Sequence, residues 1–550
     1  MQIKEIKTMI YLNFRENKIE LKSVYDPEIV AICRSMPIRK WKNEEKVWRF
    51  PFTVENYEFL LKKLAFFPID ITPDLKKAYR QEKEEIEQLK KIKTNPDAKL
   101  KSKLSKKLYP FQRVGVSFLL LSSNTLLGDE MGIGKSIQAL CFCEEIKAKK
   151  ILIVCPNSLK FVWANEIEKW LGKEEEIEIY NGSALNLDKR FNIINYEALR
   201  LERNFNLQKI NWDIVIADEC HRGKSRKAQQ TKALKKIPAQ RKVGLSGTPI
   251  LNRPDELWSI LNWLRPKIYT SYWRFFEQYV DYWDGRFGKV VTGSKNLDQL
   301  KKELEPIMIR RTKKEVLPDL PEKTYQNIYV ELELEQRRIY KEMKKDFIAK
   351  LNENEEIKAS AVIAQIIRLK QIAIHPSLLL DDYDKNLPSK KLETLFEIIE
   401  DTDKKIVVFS QFARAIKIIE EELKIRKIGY AKIVGEVKSE QREKEIERFQ
   451  NNESCRIFIG TIQAGGQGIT LTAADTVIFL DPYWVEKIEE QAVDRLHRLG
   501  QKNNVTVIRL IAKNTIEEYV LSVLKKKKVL FDSIFNNKEE VLNVLRQQAL

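Results

Sequence analysis

Past Leu108, short apolar runs alternate with stretches whose apolar residues recur at helical spacing. The runs at 151–155, 214–217 and 243–245 form one group, and those at 406–409, 457–459 and 477–480 form a second. Unbroken apolar strands suit a sheet that is covered on both faces. Their alternation with amphipathic stretches predicts two α/β lobes, each a parallel sheet with helices on both faces.

The remaining segments read differently. The first 75 residues carry Trp41, Trp48, Phe50, Phe52, Tyr57 and Phe59, and are expected to form a small α+β module. From Gln81 to Lys93 the chain is mostly charged, with Ile86, Leu89 and Ile92 three apart on one helical stripe, until Asn95-Pro96-Asp97 breaks it. Five lysines follow between Lys99 and Lys107. Such a run is either a solvated face or a DNA-facing one. Between the two groups of strands, 258 to about 386 is aromatic and then helical, with neither Gly nor Pro across 332–372. The expected plan is a front module at 1–75, a basic helical linker at 76–107, lobe 1 at 108–266, helical insertions and an inter-lobe linker at 267–388, lobe 2 at 389–530 and a tail at 531–550.

Composition narrows the class. The chain has 550 residues, 43% of them hydrophobic, enough for several cores. No eighteen apolar residues run together, and residues 1–7 interleave charges where a secretory signal needs an apolar stretch. No membrane partner is expected, and the chain is expected inside the cell: cytoplasmic with the nucleoid if prokaryotic or viral, nuclear if eukaryotic. Six cysteines, at 33, 141, 143, 155, 220 and 455, lie mostly in apolar runs, where a thiol behaves as a small hydrophobe. Cys141 and Cys143 stand too close for usual zinc spacing and have no His nearby, so neither structural zinc nor a disulfide framework is expected. A net charge of +19 and a pI near 9.3 suit a polyanion, since each phosphate neutralised releases a counterion. Genome composition can produce the same excess, so charge alone names no partner.

Candidate chemistry begins after Leu126-Leu127, where Gly128-Asp129-Glu130-Met131-Gly132-Ile133-Gly134-Lys135-Ser136 precedes the helical Ile137-Gln138-Ala139-Leu140. A strand, a glycine-containing loop and a helix start is the order phosphate binding needs. Glycines let backbone N–H groups point at the anion, the helix N-terminus adds partial positive charge, Lys135 reaches the outer phosphates and Ser136 can ligate Mg²⁺. Asp129 stands where the generic pattern has its first Gly, so the loop alone could be an ordinary turn. Downstream, the apolar run from Trp212 to Ala217 ends in Asp218-Glu219-Cys220-His221. Asp218 can hold Mg²⁺, and Glu219 can orient and deprotonate an attacking water. Together the two motifs predict ATP hydrolysis with Mg²⁺.

The string from Asp129 to Ser136 resembles motif I of the Snf-type ATPases of helicase superfamily two, and Asp218-Glu219-Cys220-His221 with Lys224 resembles their motif II. Ser136, Cys220 and Ser225 depart from the commoner residues, but no charged group is lost. Leu108-Tyr109-Pro110-Phe111-Gln112 is similar to the upstream adenine-reading element, which implies that Gln112 contacts the base. Leu245-Ser246-Gly247-Thr248-Pro249, with Asn252 and Pro254-Asp255-Glu256-Leu257, resembles motif III, which couples nucleotide to DNA. A serine-hydrolase elbow at Ser246 would need Gly where Thr248 stands.

The resemblance runs on through Met308-Ile309-Arg310-Arg311-Thr312-Lys313 and Leu320-Pro321-Glu322-Lys323, similar to the inter-lobe segment. Lys405 to Phe412 looks like motif IV, and Gly460 to Leu471 like motif V. Within 491–501, Arg495 and Arg498 lie three apart, as on one helical face, and resemble the arginines of motif VI. One such finger can be worth ~10³–10⁵ in rate. Outside the family, an Arg-x-x-Arg pair is more often a surface feature. The likeness covers about 108 to 530.

Near the start, Arg39-Lys40-Trp41 and Val47-Trp48-Arg49-Phe50-Pro51 resemble the HepA-related (HARP) domain of annealing helicases. The spacing fits a hairpin presenting stacking and phosphate-binding groups, although a plain aromatic core would look similar.

The resemblance implies two RecA-like P-loop lobes that bind ATP and Mg²⁺ and translocate on double-stranded or branched DNA, reannealing or remodelling it. Strand unwinding is not implied. The nucleotide contacts expected are Gln112, Asp129, Gly132, Ile133, Gly134, Lys135 and Ser136, with Ser136 and Asp218 on the metal. Lys135, Asp218, Glu219, Arg495 and Arg498 are the expected catalytic set. A monomer is expected, with protein partners unnamed. The alternatives are a motor that displaces proteins from DNA or recycles transcription complexes, and a DNA-binding scaffold whose ATPase has decayed.

Overall fold

The structure is a computed structural model. It describes residues 8–525 except 37, 95–99, 184, 224, 227, 248–253, 286–287, 354–358, 380–387, 436–438, 466–468 and 484–485. Lys224, Thr248, Pro249, Asn252, the Gly466-Gln467-Gly468 stretch and the expected tail at 531–550 therefore lie outside the described residues. The chain resolves into two compact units, Met1–Glu130 with Gly134–Thr312, and Met131–Ile133 with Lys313–Leu550.

The front module is α+β, as its pattern predicts. Strands β1 (Ile10–Arg15), β2 (Lys18–Ser23), β3 (Lys40–Lys42), β4 (Val47–Pro51) and β5 (Ile69–Ile71) form one sheet in the order β3-β4-β2-β1-β5. Two helices complete it, α1 (Pro27–Ser35) and α2 (Val54–Lys63). Asp26 caps α1 by accepting from Glu28 and Ile29 N–H groups, and Thr53 caps α2 through Asn56 N–H. The charged spacer is a longer helix than its stripe suggests, α3 (Pro73–Thr94), starting at a proline that needs no N–H partner there.

Lobe 1 is a seven-stranded, all-parallel sheet. Its strands are β6 (Asn124–Leu127), β7 (Ile151–Cys155), β8 (Ile177–Ile179), β9 (Phe191–Asn195), β10 (Trp212–Asp218) and β11 (Ala239–Leu245). After an antiparallel hairpin, β12 (Val280–Gly285) and β13 (Gly288–Ser294), the chain returns to the edge with β14 (Met308–Ile309), giving the order β14-β6-β11-β10-β7-β9-β8. Successive residues of one strand go to different cores: Ile214 and Ile216 to one, Val215 and Ala217 to the other. Helices α4 (Pro110–Leu121), α5 (Lys135–Glu145) and α6 (Lys160–Leu171) bring Phe118, Phe142 and Trp163 to the first core.

The second unit holds a six-stranded parallel sheet, built from β15 (Lys323–Val330), β16 (Ile406–Ser410), β17 (Gly429–Ile433), β18 (Cys455–Thr461), β19 (Thr476–Phe479) and β20 (Val505–Ala512). The order is β15-β20-β19-β16-β18-β17, again with a core on each face.

Both groups of expected strands are present. The stretch 267–388 differs from its expectation, since it is not all helical and does not form a separate layer. Its first part supplies the β12–β13 hairpin and β14 to the first unit, and its later part supplies β15 and the helices Leu334–Glu353 and Ala359–Ile374 to the second. Among the described residues no helix is long and apolar enough to cross a membrane.

Candidate nucleotide site

Sheet register sets the site. Leu127 at the end of β6 pairs with Leu245 at the end of β11, and Leu245 pairs with Asp218 at the end of β10. The glycine loop, Ser246 and the acidic pair therefore leave three adjacent strands at the same carboxyl edge, where open parallel sheets bind ligands.

The loop turns through two glycines with positive φ, Gly132 at 81° and Gly134 at 84°, the left-handed region that glycine enters without steric cost. Gly134 caps α5, so the free N–H groups of that helix start beside Lys135 and the half-buried Ser136. Lys135 Nζ bonds the loop's own carbonyls, Asp129 O at 2.8 Å and Glu130 O at 3.1 Å. Ile133 is fully buried and contributes backbone rather than side chain. A Cβ on Gly134 would lie 2.4 Å from Gln112 Nε2, so the structure places Gln112 against the loop. The Gln112 carbonyl oxygen accepts from Tyr109 N–H at 3.0 Å and caps α4.

The Asp129 side chain is held by partners within the protein. Its carboxylate is fully buried and fully engaged within the protein. Oδ1 accepts from Arg311 N at 3.1 Å and Nε at 3.0 Å, while Oδ2 takes Arg311 Nη2 and, at 3.3 Å, Gln138 Nε2. Arg311 Nη2 also reaches Gln138 Oε1 at 2.9 Å. A Cβ on Gly115 of α4 would strike Gln138 Oε1 at 1.9 Å, so glycine there makes room for this cluster. Asp129 holds the loop's base. Its partner Arg311 went unread in the sequence because 182 positions separate the two.

At the tip of β10, Asp218 Oδ1 accepts Glu219 N–H at 2.9 Å, and Oδ2 accepts the indole Nε1 of Trp163 at 2.9 Å. Burial, and then the charge of Glu219, push the Asp218 carboxyl up to about 6, against the opposing pull of Trp163 and Lys135. Glu219 sits at φ 48°, a left-handed conformation uncommon for a residue with a side chain. One carboxylate oxygen lies 3.3 Å from His221 Nδ1, and that nitrogen is 3.1 Å from Ser246 Oγ. The acidic pair is thereby linked to the next strand end.

In the second unit the expected helical face for Arg495 and Arg498 is not formed. The helix Glu486–Val493 stops short of both, and residues 494–500 run as turns. Lys313 Nζ bonds Asp494 Oδ1 at 2.6 Å, and His497 Nε2 meets Pro321 O at 2.6 Å. Arg498 Nη1 bonds Thr470 Oγ1 at 2.9 Å, and Leu471 N–H donates to Arg495 O at 2.9 Å. The motif V and motif VI stretches are thus joined. Asp481 accepts from Ser410 Oγ and Gln411 Nε2, both at 2.6 Å, which anchors the motif IV stretch to the same sheet.

In the front module the two tryptophans form the expected hairpin: Trp41 pairs with Trp48 across β3 and β4, with ring centroids 5.2 Å apart. Arg49 is not a phosphate ligand here, because its guanidinium is buried against Glu20 at 2.6 Å and Glu45 at 2.8 Å. Trp41 is half exposed, whereas Trp48 packs partly on the module's core.

A glycine loop on one parallel strand, with an acidic pair closing a nearby one, is the arrangement of a P-loop nucleotide-binding lobe. The SNF2-related domain matches residues 79–378 and the helicase conserved C-terminal domain matches 390–500, so the chain belongs to the SNF2-related family. It is 30% identical over 534 residues to a SWI/SNF-related matrix-associated actin-dependent regulator of chromatin subfamily A-like protein 1 of Xenopus laevis, covering 93% of this chain and 53% of that protein. It is 32% identical over 460 residues to the Bos taurus DNA annealing helicase and endonuclease ZRANB3, covering 80% and 42%. The chain thus spans about half the length of these relatives. A solved Sulfolobus solfataricus SWI2/SNF2 ATPase core in complex with dsDNA is 29% identical, covers 80% of this chain and 96% of that one, and has a TM-score of 0.38.

Proposed function

We propose that this chain is a DNA-dependent ATPase that translocates on duplex DNA, and that its front module directs it to branched DNA for reannealing or fork remodelling. The observation that carries the ATPase reading is the shared carboxyl edge, where the Gly134–Lys135 helix start, Asp218–Glu219 and the His221–Ser246 pair leave neighbouring strands.

The residues fit ATP with Mg²⁺. Positive-φ glycines at a helix start suit a phosphate, and a carboxyl whose proton is held by burial and a like charge suits a cation. Ser136 and Asp218 would hold the metal, which when bound neutralises phosphate charge. In this reading Lys135 exchanges its contacts with the loop carbonyls for the outer phosphates, Gln112 faces the base, and Glu219 takes a proton from the attacking water. Arg495 and Arg498 supply cations to the transferring phosphoryl group.

The annealing role is supported by the likeness to the Bos taurus DNA annealing helicase and endonuclease and by the paired tryptophans of the front hairpin. The test is ATP hydrolysis with duplex, single-stranded and forked DNA at several salt concentrations, on the parent and on Glu219→Gln. The parent should be stimulated by duplex, most strongly by forks, and the variant should bind ATP without turning it over. Hydrolysis indifferent to DNA would remove the motor, and full turnover by the variant would remove the role given to Glu219.

A further inference from the structure

One aromatic surface is used by neither the nucleotide site nor a core. The helix Tyr272–Tyr279 follows lobe 1's last full-length strand and presents Trp273, which is 49% exposed. Its ring is backed by Tyr272 at 5.2 Å and Phe276 at 5.8 Å, so the indole is held in place while one side stays open. Arg226 lies over Tyr272 at 4.1 Å and Trp273 at 5.1 Å from the ring centroids. Next in the helix, Arg274 donates from Nη1 to the carbonyl oxygen of Arg39 at 3.0 Å. That bond fastens the helix to the segment entering β3, two residues before Trp41, itself 44% exposed.

Two half-exposed indoles, far apart in sequence but on segments tied by the Arg274–Arg39 hydrogen bond, thus lie beside Arg226 and Arg274. A core would cover such rings. Flat apolar faces beside cations are the chemistry that takes unpaired nucleotides, with bases on the rings and phosphates on the guanidinium and ammonium groups.

We propose that the Tyr272–Tyr279 helix and the β3–β4 hairpin jointly bind an unpaired DNA strand, with Trp273 and Trp41 as stacking platforms and Arg226 and Arg274 as phosphate partners. The proposal deepens the branched-DNA reading above and rests on it for its biological setting. It adds a place for the single-stranded arm on the first unit.

The test is direct binding of a fluorescein-labelled twenty-nucleotide oligo-dT to the full chain without ATP, alongside duplex-stimulated ATP hydrolysis. Stacking contributes about 1–3 kcal/mol per base, so Trp273→Ala and Trp41→Ala should each weaken oligo-dT binding by about 5- to 150-fold. Trp273→Phe, which keeps a ring, should bind within about threefold of the parent. Thermal melting monitored by circular dichroism verifies that the alanine variants are folded. If either is not, Arg226→Gln replaces it, and should weaken binding and flatten its salt dependence. Oligo-dT binding that is absent in the parent, or unchanged in folded alanine variants, overturns the proposal. Ring-dependent oligo-dT binding in a parent that shows no DNA-stimulated hydrolysis would uphold this surface while removing the motor reading.

Discussion

The indole of Trp163 donates to Asp218 Oδ2 at 2.9 Å, so a residue of the lobe 1 core orients a carboxylate at the candidate metal position. The bond reaches across 55 positions from α6 to the tip of β10. It opposes the rise in the carboxyl's proton affinity.

Replacing Trp163 with Phe keeps the ring in the core and removes the donor. Partners of this kind, standing behind a metal ligand, typically affect metal affinity by about 10- to 100-fold. Trp163→Phe should therefore raise the Mg²⁺ concentration for half-maximal ATP hydrolysis by about tenfold or more, with a melting temperature near the parent's. An unchanged Mg²⁺ titration would remove the positioning role.

The Asp218 carboxyl gives a pH dependence with a definite sign. Its folded-state pKa of about 6 lies above its ordinary 3.8, so the folded protein holds this proton more tightly than the unfolded chain does. The associated stability is present below about pH 4 and is lost as pH rises through about 6. Asp218→Asn cannot ionise. In urea melts of nucleotide-free protein, the variant's stability relative to the parent should grow between pH 4 and 7 and then level off. A difference that stays flat with pH contradicts the raised proton affinity.

The Arg311–Asp129 clasp should serve both stability and nucleotide binding. Arg311→Met leaves the fully buried Asp129 without its cation, and breaking a buried pair in this way costs about 3–5 kcal/mol. Adding Asp129→Asn should recover much of that loss in a denaturant melt. ATP affinity should fall in the single variant, because the loop whose carbonyls hold Lys135 loses its base. Stability recovery without any change in ATP affinity would show the clasp to be scaffold alone.

The second unit offers a contrasting pair. Lys391 Nζ lies 2.6 and 2.7 Å from the two carboxylate oxygens of Glu517 and 2.8 Å from Leu480 O, and both side chains are almost wholly buried. Lys391→Met should also destabilise by about 3–5 kcal/mol. Since the pair's hydrogen bonds run to Leu480, Ala512 and Thr515 and, among the described residues, none to the glycine loop, ATP affinity at temperatures where the variant is folded should match the parent's. A large loss of ATP binding by the folded variant would assign the pair a further role.

The parts of this protein that depend on local pattern were readable from the chain. Buried parallel strands are apolar throughout, so β7, β10, β16 and β18 stood out, and the glycine loop and acidic pair each follow such a run. The Trp41–Trp48 hairpin was readable because its two rings fall in register across a short turn. What escaped depends on partners far away in sequence. The Arg495–Arg498 spacing looks helical until Lys313 and Pro321, about 180 positions earlier, capture Asp494 and His497. The Asp129 carboxylate takes its partner, Arg311, from 182 positions along the chain. The β12–β13 hairpin was hidden among aromatic residues that also suit a helix, since Tyr282 packs on Phe276 of the preceding helix at 5.2 Å.

Arg311 is also the second-to-last residue of the first unit, since the chain leaves that unit after Thr312. The peptide bridging the two halves of the molecule is therefore moored to the foot of the glycine loop. Thr312, where the chain leaves the first unit, thus follows directly on a side chain gripped by the buried Asp129 carboxylate.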